Sequence, residues 1–253
     1  RQLGSKTPGH PERGLTPGVE ATTGPLGQGV GNAVGMAVAE QILSTKFGSD
    51  VVNHFTYVLH GDGDIQEPVA QGSIACAGHW GLGKLIAFYD SNDAQISGKV
   101  SRSDSTDYAK MYESHGWHVQ VIDGHSHDAI RSAIRIAQME VNRPSVIIGE
   151  TIMANGCATV EGDHNTHGAP LSPEEIYNSK KKLGLNPDEF FQISQDVLDD
   201  FRASFDYAKQ EVDAWAKNLE QRCSDVEFKS NWESSKNLSI PGNVNWPTFE
   251  YGT

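Results

Sequence analysis

The sequence predicts an α/β protein: a doubly wound, mainly parallel sheet with helices on both faces, followed by a helical and extended tail. Short β-branched or aromatic runs alternate with helical periodicity between Gly27 and Gly149, the order that right-handed βαβ crossovers produce. Those runs are continuously apolar rather than alternating, as in strands buried on both sides. Polar turns follow two of them, at Gly61-Asp62-Gly63 and at Asp90 to Asp93. In an open parallel sheet, ligands bind just beyond the carboxyl ends of the strands.

From Gly27 to about Phe47, Val30, Ala33, Val34, Ala37, Val38 and Ile42 recur at helical spacing. Gly29, Gly31 and Gly35 interrupt them, so something is expected to pack close to this helix's backbone. Phe55 to Leu59 reads as a strand, Glu67 to Trp80 as a helix with Pro68 in its first turn, and Lys84 to Tyr89 as a second strand. Thr106 to His115 is helical, His118 to Ile122 a strand, His127 to Val141 a periodic helix and Ser145 to Gly149 a strand opened by Pro144. Residues 153–171 form a loop too long for a plain connection. Ser172 starts a helix with a capping-box pattern, the serine answered by Glu175. Leu198 to Leu219 reads as a long surface helix, and Asn231 to Thr253 as an aperiodic linker or extended segment.

The 253 residues carry 33 acidic and 20 basic side chains, a formal charge of −13. That balance argues against a nucleic-acid or anionic-membrane surface. No apolar run is long enough to span a bilayer. Cys76, Cys157 and Cys223 are few, odd in number and widely spaced, which suits a reducing, cytoplasmic compartment. The chain opens at Arg1 into a Gly/Pro-rich loop, which suggests a piece of something longer.

Asp62 and Asn92 stand 30 residues apart, about one βαβ unit, so adjacent parallel strands would bring their ends together. Carboxylate, amide and backbone carbonyl oxygens are the donors that a hard cation such as Mg²⁺ accepts. Taken alone, Gly61-Asp62-Gly63 also reads as an ordinary tight turn, and His10 as a solvated histidine. The pairs His164/His167 and His125/His127 lack a third ligand at zinc spacing. Cys157 has no marked base beside it, and Lys180 to Lys182 reads as a solvated helix end.

Gly61-Asp62-Gly63 with Asn92 resembles the thiamine-diphosphate motif. Thr7-Pro-Gly-His10-Pro-Glu12, Glu20 to Gly29, Asn32 to Ala37, Gly83 to Asp90 and His167 to Leu171 together resemble the transketolase family over about residues 1–185. The resemblance implies a diphosphate-binding α/β domain over 1–185, N-terminally incomplete. Residues 186–253 would be a helical segment and linker towards a pyrimidine-binding domain on another stretch of chain or a separate subunit. It implies transfer of a two-carbon ketol unit between sugar phosphates, in the pentose phosphate pathway and in a homodimer, with this chain inactive by itself. Dihydroxyacetone synthase, another thiamine-diphosphate enzyme, or a non-catalytic regulatory subunit are the alternatives.

Residue by residue, the resemblance makes Asp62 and Asn92 side-chain ligands of Mg²⁺ (or Ca²⁺), with Ala94 contributing its carbonyl. Gly63 would meet the diphosphate, and the turn Gly24-Pro25-Leu26 would lie against the cofactor. Ile96 and Met153 would flank its rings. His167 would reach the diphosphate and the reacting centre, His10 the substrate, and Glu67 would couple two cofactor sites across a dimer interface. The sequence departs from the family pattern at Asp64, Gln66, Pro68, Glu150 and Ala154-Asn155. An acidic Asp64 pointing at a diphosphate would weaken binding, so its side chain is expected to face away.

Overall fold

The computed structural model describes residues 4–96, 98–236 and 245–248. By its contacts the chain divides into two compact units. One is made of residues up to Ile42 with His54–Gln192, the other of Leu43–Asn53 with residues from Ile193 onward.

The first unit is built on four parallel strands: β1 (Thr56–Gly61), β2 (Leu85–Ser91), β3 (His118–Asp123) and β4 (Ser145–Glu150), in the order β1-β2-β4-β3. The crossover helices are α3 (Pro68–His79), α4 (Tyr108–Ser114) and α5 (His127–Met139), and α1 (Gln28–Phe47) precedes the sheet. Two separate cores lie on its faces. Val30, Val34 and Ala37 of α1, Ile74 of α3 and Tyr112 of α4 pack with Leu85, Ala87, Tyr89, Val146 and Ile148. Ala133 and Ala137 of α5 pack on Ile86 and Ile147. The sheet is therefore doubly wound, as the alternation of elements requires. Each large aliphatic side chain fully buried here contributes about 1.5–3 kcal/mol.

Burial on both faces holds for the central strands only. Every residue of β4 up to Gly149 is buried, whereas on the edge strand β1 Tyr57 and Leu59 are 54% and 73% exposed. The unusually close approach expected along α1 is not seen among the described residues. A Cβ would stand 3.4 Å from the Thr23 methyl at Gly29 and 3.4 Å from the Ser73 hydroxyl at Gly31, ordinary contacts, and nothing lies within 4 Å at Gly35.

Local chemistry sets the helix starts. Pro68 occupies the first turn of α3. The Ser126 hydroxyl accepts the Ala129 amide at 3.3 Å to open α5. Ser172 opens α6 (Pro173–Lys182) by accepting the Glu175 amide at 3.1 Å. The reciprocal half of the expected capping box is absent. Buried Glu175 instead accepts the Thr159 amide (2.9 Å) and hydroxyl (2.6 Å), tying α6 to the long loop before it. That same loop is held by Lys182, whose ammonium donates to the Cys157 carbonyl (2.7 Å) and to Glu161 (3.1 Å). The basic end of α6 is thus more than a solvated face.

The second unit combines residues 43–53 with α7 (Gln195–Arg222) and α8 (Val226–Lys236). Phe47, 1% exposed, takes the edges of Phe228 and Trp232 at 5.7 and 5.1 Å. The Trp215 indole and the Arg222 guanidinium donate to the Val51 and Phe47 carbonyls at 2.9 and 3.1 Å. The stretch from Asn231, expected to be aperiodic, begins as the last turns of α8. Residues 237–244 and 249–253 of that expected tail lie outside the described residues.

Two glycines of α3 give opposite expectations. A Cβ at Gly78 would lie 1.8 Å from the His115 carbonyl oxygen, while at Gly72 nothing lies within 4 Å. Gly78→Ala is expected to destabilise the chain by about 1–3 kcal/mol. Gly72→Ala should stabilise it by up to about 1 kcal/mol. Urea unfolding of both variants beside the parent checks the contrast.

Candidate cofactor and metal site

Sheet register brings the polar turns together. Gly61 pairs with Asp90, and Asp90 with Gly149, so the segments leaving β1, β2 and β4 emerge side by side. Asp62 opens the short helix α2 (Asp62–Ile65) directly after β1 and is 4% exposed. The Tyr89 hydroxyl donates to its Oδ1, and the Asn92 amide to its Oδ2 at 3.1 Å. Burial pushes the Asp62 carboxyl pKa up; Tyr89 and the amides of Asn92, Ala94 and Asp93 pull it back, and no basic side chain is among these groups. Among the described residues this buried carboxylate has no ion-pair partner, a costly arrangement for a charge removed from water.

The loop after β2 is folded around that carboxylate. Asp93 adopts φ 55° and Ala94 is 5% exposed. The Asn92 carboxamide donates from Nδ2 to Asp90 Oδ2 at 3.0 Å and accepts the Ala94 amide on Oδ1 at 3.0 Å. The Thr151 hydroxyl donates to the other Asp90 oxygen. Asp62 thus meets the Asn92 backbone amide, while the Asn92 carboxamide is turned to Asp90 and to the Ala94 amide. Carboxylate, carboxamide and carbonyl oxygens are the donor types that suit a hard divalent cation.

A cleft of about 530 Å³ is lined among others by His10, Gly24, Pro25, Leu26, His60 and Asp64. Asp62, Gly63, Asn92 and Ala94 do not line it, and Asp62 borders a smaller cleft with Tyr89 and Tyr108. The His10 ring rests on Gly24: with φ +138°, a Cβ there would stand 2.7 Å from His10 Cγ. Leu26 reaches Gly63, where a Cβ would sit 3.3 Å from Leu26 Cδ1. Asp64 borders the cleft, but its carboxylate is turned onto backbone. It accepts the Gly27 amide on Oδ1 and the Gly61 amide on Oδ2, each at 2.9 Å. One side chain thus joins the Gly24–Gly27 turn to the Gly61–Gly63 turn. Glu67 sits against Gly27, where a Cβ would meet its own Cβ at 2.7 Å.

Three expected residues do not join this group. Ile96 is 82% exposed, and His167 is exposed with its amide bonded to the His164 carbonyl at 3.0 Å. Met153 is half-buried, its carbonyl accepting the Gly162 amide at 2.8 Å. None of the three lines the cleft of His10 or the smaller one beside Asp62. The loop after β4 is instead pinned by His125, whose Nε2 accepts the Ile152 amide at 2.8 Å. Among the described residues, no three His, Cys, Asp or Glu side chains cluster as a metal site, so neither histidine pair forms a zinc centre there.

Sequence reading missed Tyr89, Thr151 and His60 as site residues, since each lies in or beside an apolar strand run, and it marked Asp90 only as part of the polar turn after β2. His60, 3% exposed, stacks on Tyr89 with ring centroids 5.0 Å apart and shares a 2.9 Å hydrogen bond with the Tyr112 hydroxyl through Nε2. Among the described residues its buried Nδ1 has no hydrogen-bond partner within bonding geometry. Only the register Leu59↔Phe88, His60↔Tyr89 puts these rings in contact.

Oxygen donors at strand ends beside a glycine-walled cleft fit a class of α/β proteins that bind diphosphate esters. Comparison narrows the class. Residues 1–237 match the family described as transketolase, thiamine diphosphate binding domain, and the chain belongs to the transketolase family. It is 48% identical over 219 residues to transketolase 2 of Vibrio parahaemolyticus, covering 85% of this chain and 33% of that protein. It is 43% identical over 251 residues to transketolase 1 of Vibrio cholerae, covering 93% and 38%. The structure of transketolase from Leishmania mexicana superposes with a TM-score of 0.91 at 38% identity, covering 96% of this chain and 37% of that one. Transketolase from Pichia stipitis, solved in complex with sedoheptulose-7-phosphate, gives 0.90 at 34% identity, covering 96% and 37%. The chain thus spans about a third of the length of these relatives.

His60 generates a pH prediction. Burial lowers its pKa from 6.5 to about 4, so below pH 6.5 the unfolded chain takes a proton that the folded chain refuses. Stability should therefore fall as pH drops from about 6.5 to about 4, by up to about 3 kcal/mol from this group. Replacing both partners, His60→Leu with Tyr112→Phe, should flatten that slope in urea unfolding at pH 7 and pH 5.

Proposed function

We propose that this chain supplies the diphosphate- and metal-binding half of a transketolase, acting in the transfer of a two-carbon ketol unit from a ketose phosphate to an aldose phosphate. The observation that carries this reading is Asp62, a buried carboxylate without a cationic partner, wrapped by the loop that bears Asn92 and Ala94. Asp62, Asn92 Oδ1 and the Ala94 carbonyl would hold Mg²⁺ or Ca²⁺, with water and diphosphate oxygens completing the shell. The cleft lined by His10, Gly24 and Leu26 has a volume within the range of cofactor pockets, and Asp62 borders a second, smaller one. Gly63 and the Gly24-Pro25-Leu26 turn form walls where added side chains would collide or strain, and a backbone surface of that kind lets a ligand approach closely.

Thiamine diphosphate, where bound, would supply a nucleophilic carbon and an electron sink for the ketol transfer. The chain's own residues anchor and orient. His10, packed on Gly24, offers a ring nitrogen to substrate hydroxyls or to an oxygen that gains charge. By the family resemblance, His167 would serve the diphosphate and the reacting centre, and Ile96 and Met153 would flank the cofactor rings. Glu67, beside Gly27, couples two cofactor sites in a homodimer. A pyrimidine-binding domain completes the site, the sugar phosphates are the substrates, and the setting is the cytoplasm. The substrate class draws support from the sedoheptulose-7-phosphate bound to the Pichia stipitis relative.

Asp62→Ala tests the reading. It should abolish Mg²⁺-dependent binding of thiamine diphosphate, followed by quenching of intrinsic fluorescence on titration of the apo-protein. Removing Mg²⁺ with EDTA should reproduce that loss in the parent. Unchanged affinity in the variant would exclude Asp62 as the metal anchor.

A further inference from the structure

We propose that Asp90, held by the Thr151 hydroxyl, is a positioning residue that decides which end of the Asn92 carboxamide faces the cation. The inference rests on the metal-site reading above and adds to it the control of ligand polarity.

A carboxamide has two ends of nearly equal size. Its oxygen can ligate a hard cation, and its NH₂ group, a pure donor, cannot. A site that uses asparagine therefore needs a neighbour that distinguishes the ends. Asp90 does this by chemistry alone. An ionised carboxylate only accepts hydrogen bonds, so the NH₂ end of Asn92 stays on Asp90 Oδ2 at 3.0 Å and the oxygen points away, where it also accepts the Ala94 amide at 3.0 Å. Rotation of the amide by half a turn would set oxygen against carboxylate oxygen and NH₂ against N–H.

The two constraints on Asn92 differ in rigidity. The Ala94 amide belongs to the same loop as Asn92 and moves with it. Asp90 is part of the sheet, paired with Gly61 on one side and Gly149 on the other. Its second oxygen is held from the β4 side by the Thr151 hydroxyl. Thr151 is fixed in turn, because its amide donates to the Ser91 carbonyl at 3.1 Å. Its methyl group packs on Gly124, where a Cβ would lie 2.4 Å from Thr151 Cγ2. The line Gly124–Thr151–Asp90–Asn92 thus transmits the geometry of three strand ends to one ligand oxygen, as outer partners of metal ligands generally do.

The test is a Mn²⁺ titration of the full chain with thiamine diphosphate present, reading the free-ion electron paramagnetic resonance signal. Asp90→Asn, which can turn its own NH₂ group towards Asn92, should weaken Mn²⁺ binding about 10- to 100-fold. Thr151→Val, which changes no charge, should weaken it about three- to tenfold, and Thr151→Ser, which keeps the hydroxyl, should restore it. Thermal unfolding midpoints without metal should stay with the parent for the Thr151 variants, separating orientation from folding. If Thr151→Val binds as the parent does, and the Asp90→Asn loss disappears in about 1 M salt, where charges are screened within about 3 Å, Asp90 acts only as a distant charge and the proposal falls. If the parent itself binds no Mn²⁺, the metal-site reading fails and takes this inference with it.

Discussion

The constraint on which the site depends is the burial of one carboxylate, Asp62, at the carboxyl end of an edge strand. A carboxylate removed from water needs donors or a cation around it. Tyr89 from the neighbouring strand and the amides of residues 92–94 provide the donors. This demand folds the loop after β2 inward, gives Asp93 its positive φ and buries Ala94. Among the described residues no basic side chain is paired with it, which is the demand that the proposed divalent cation would answer.

The same economy of anchoring governs the glycine turns. Asp64 stands next to the motif, where a free negative charge would repel a diphosphate. Its two oxygens are each committed to a backbone amide, one from Gly27 and one from Gly61. The carboxylate therefore serves as a bracket between two loops, and the adjoining amides share its charge. Sequence reasoning expected the side chain to face away from the ligand. The structure turns it onto backbone at the border of the cleft, because two unpaired amides lie closer than solvent does.

Much of the fold was legible because its signals are local. Helical spacing in α1 and α5, Pro68 and Ser172 at helix starts, and apolar runs at β2 and β4 each depend on nearest neighbours along the chain. The pairing of Asp62 with Asn92 was legible for a related reason: strand–helix–strand spacing limits where two strand ends can meet. Tyr89, Thr151 and His60, and the partners of Asp90, were not legible, since a strand residue's partner is set by register with a segment far away in sequence. Glu175 illustrates the converse. Its local pattern indicated a capping box, and a nearby pair of donors on Thr159 offered it better bonds.

The sequence by itself determined the alternation of strands and helices, the polar turns at the strand ends, and the acidic character of the chain. Those properties follow from side-chain periodicity and from glycine and proline geometry, which act over a few residues. Tertiary structure alone decided that the strands order as β1-β2-β4-β3, that Tyr89 reaches Asp62, and that Thr151 and Asp90 fix the Asn92 carboxamide. It also left Ile96 and His167 exposed, apart from the clefts at His10 and Asp62. These facts depend on sheet register and on competition among distant partners for the same hydrogen-bonding groups, information that no local stretch of chain contains.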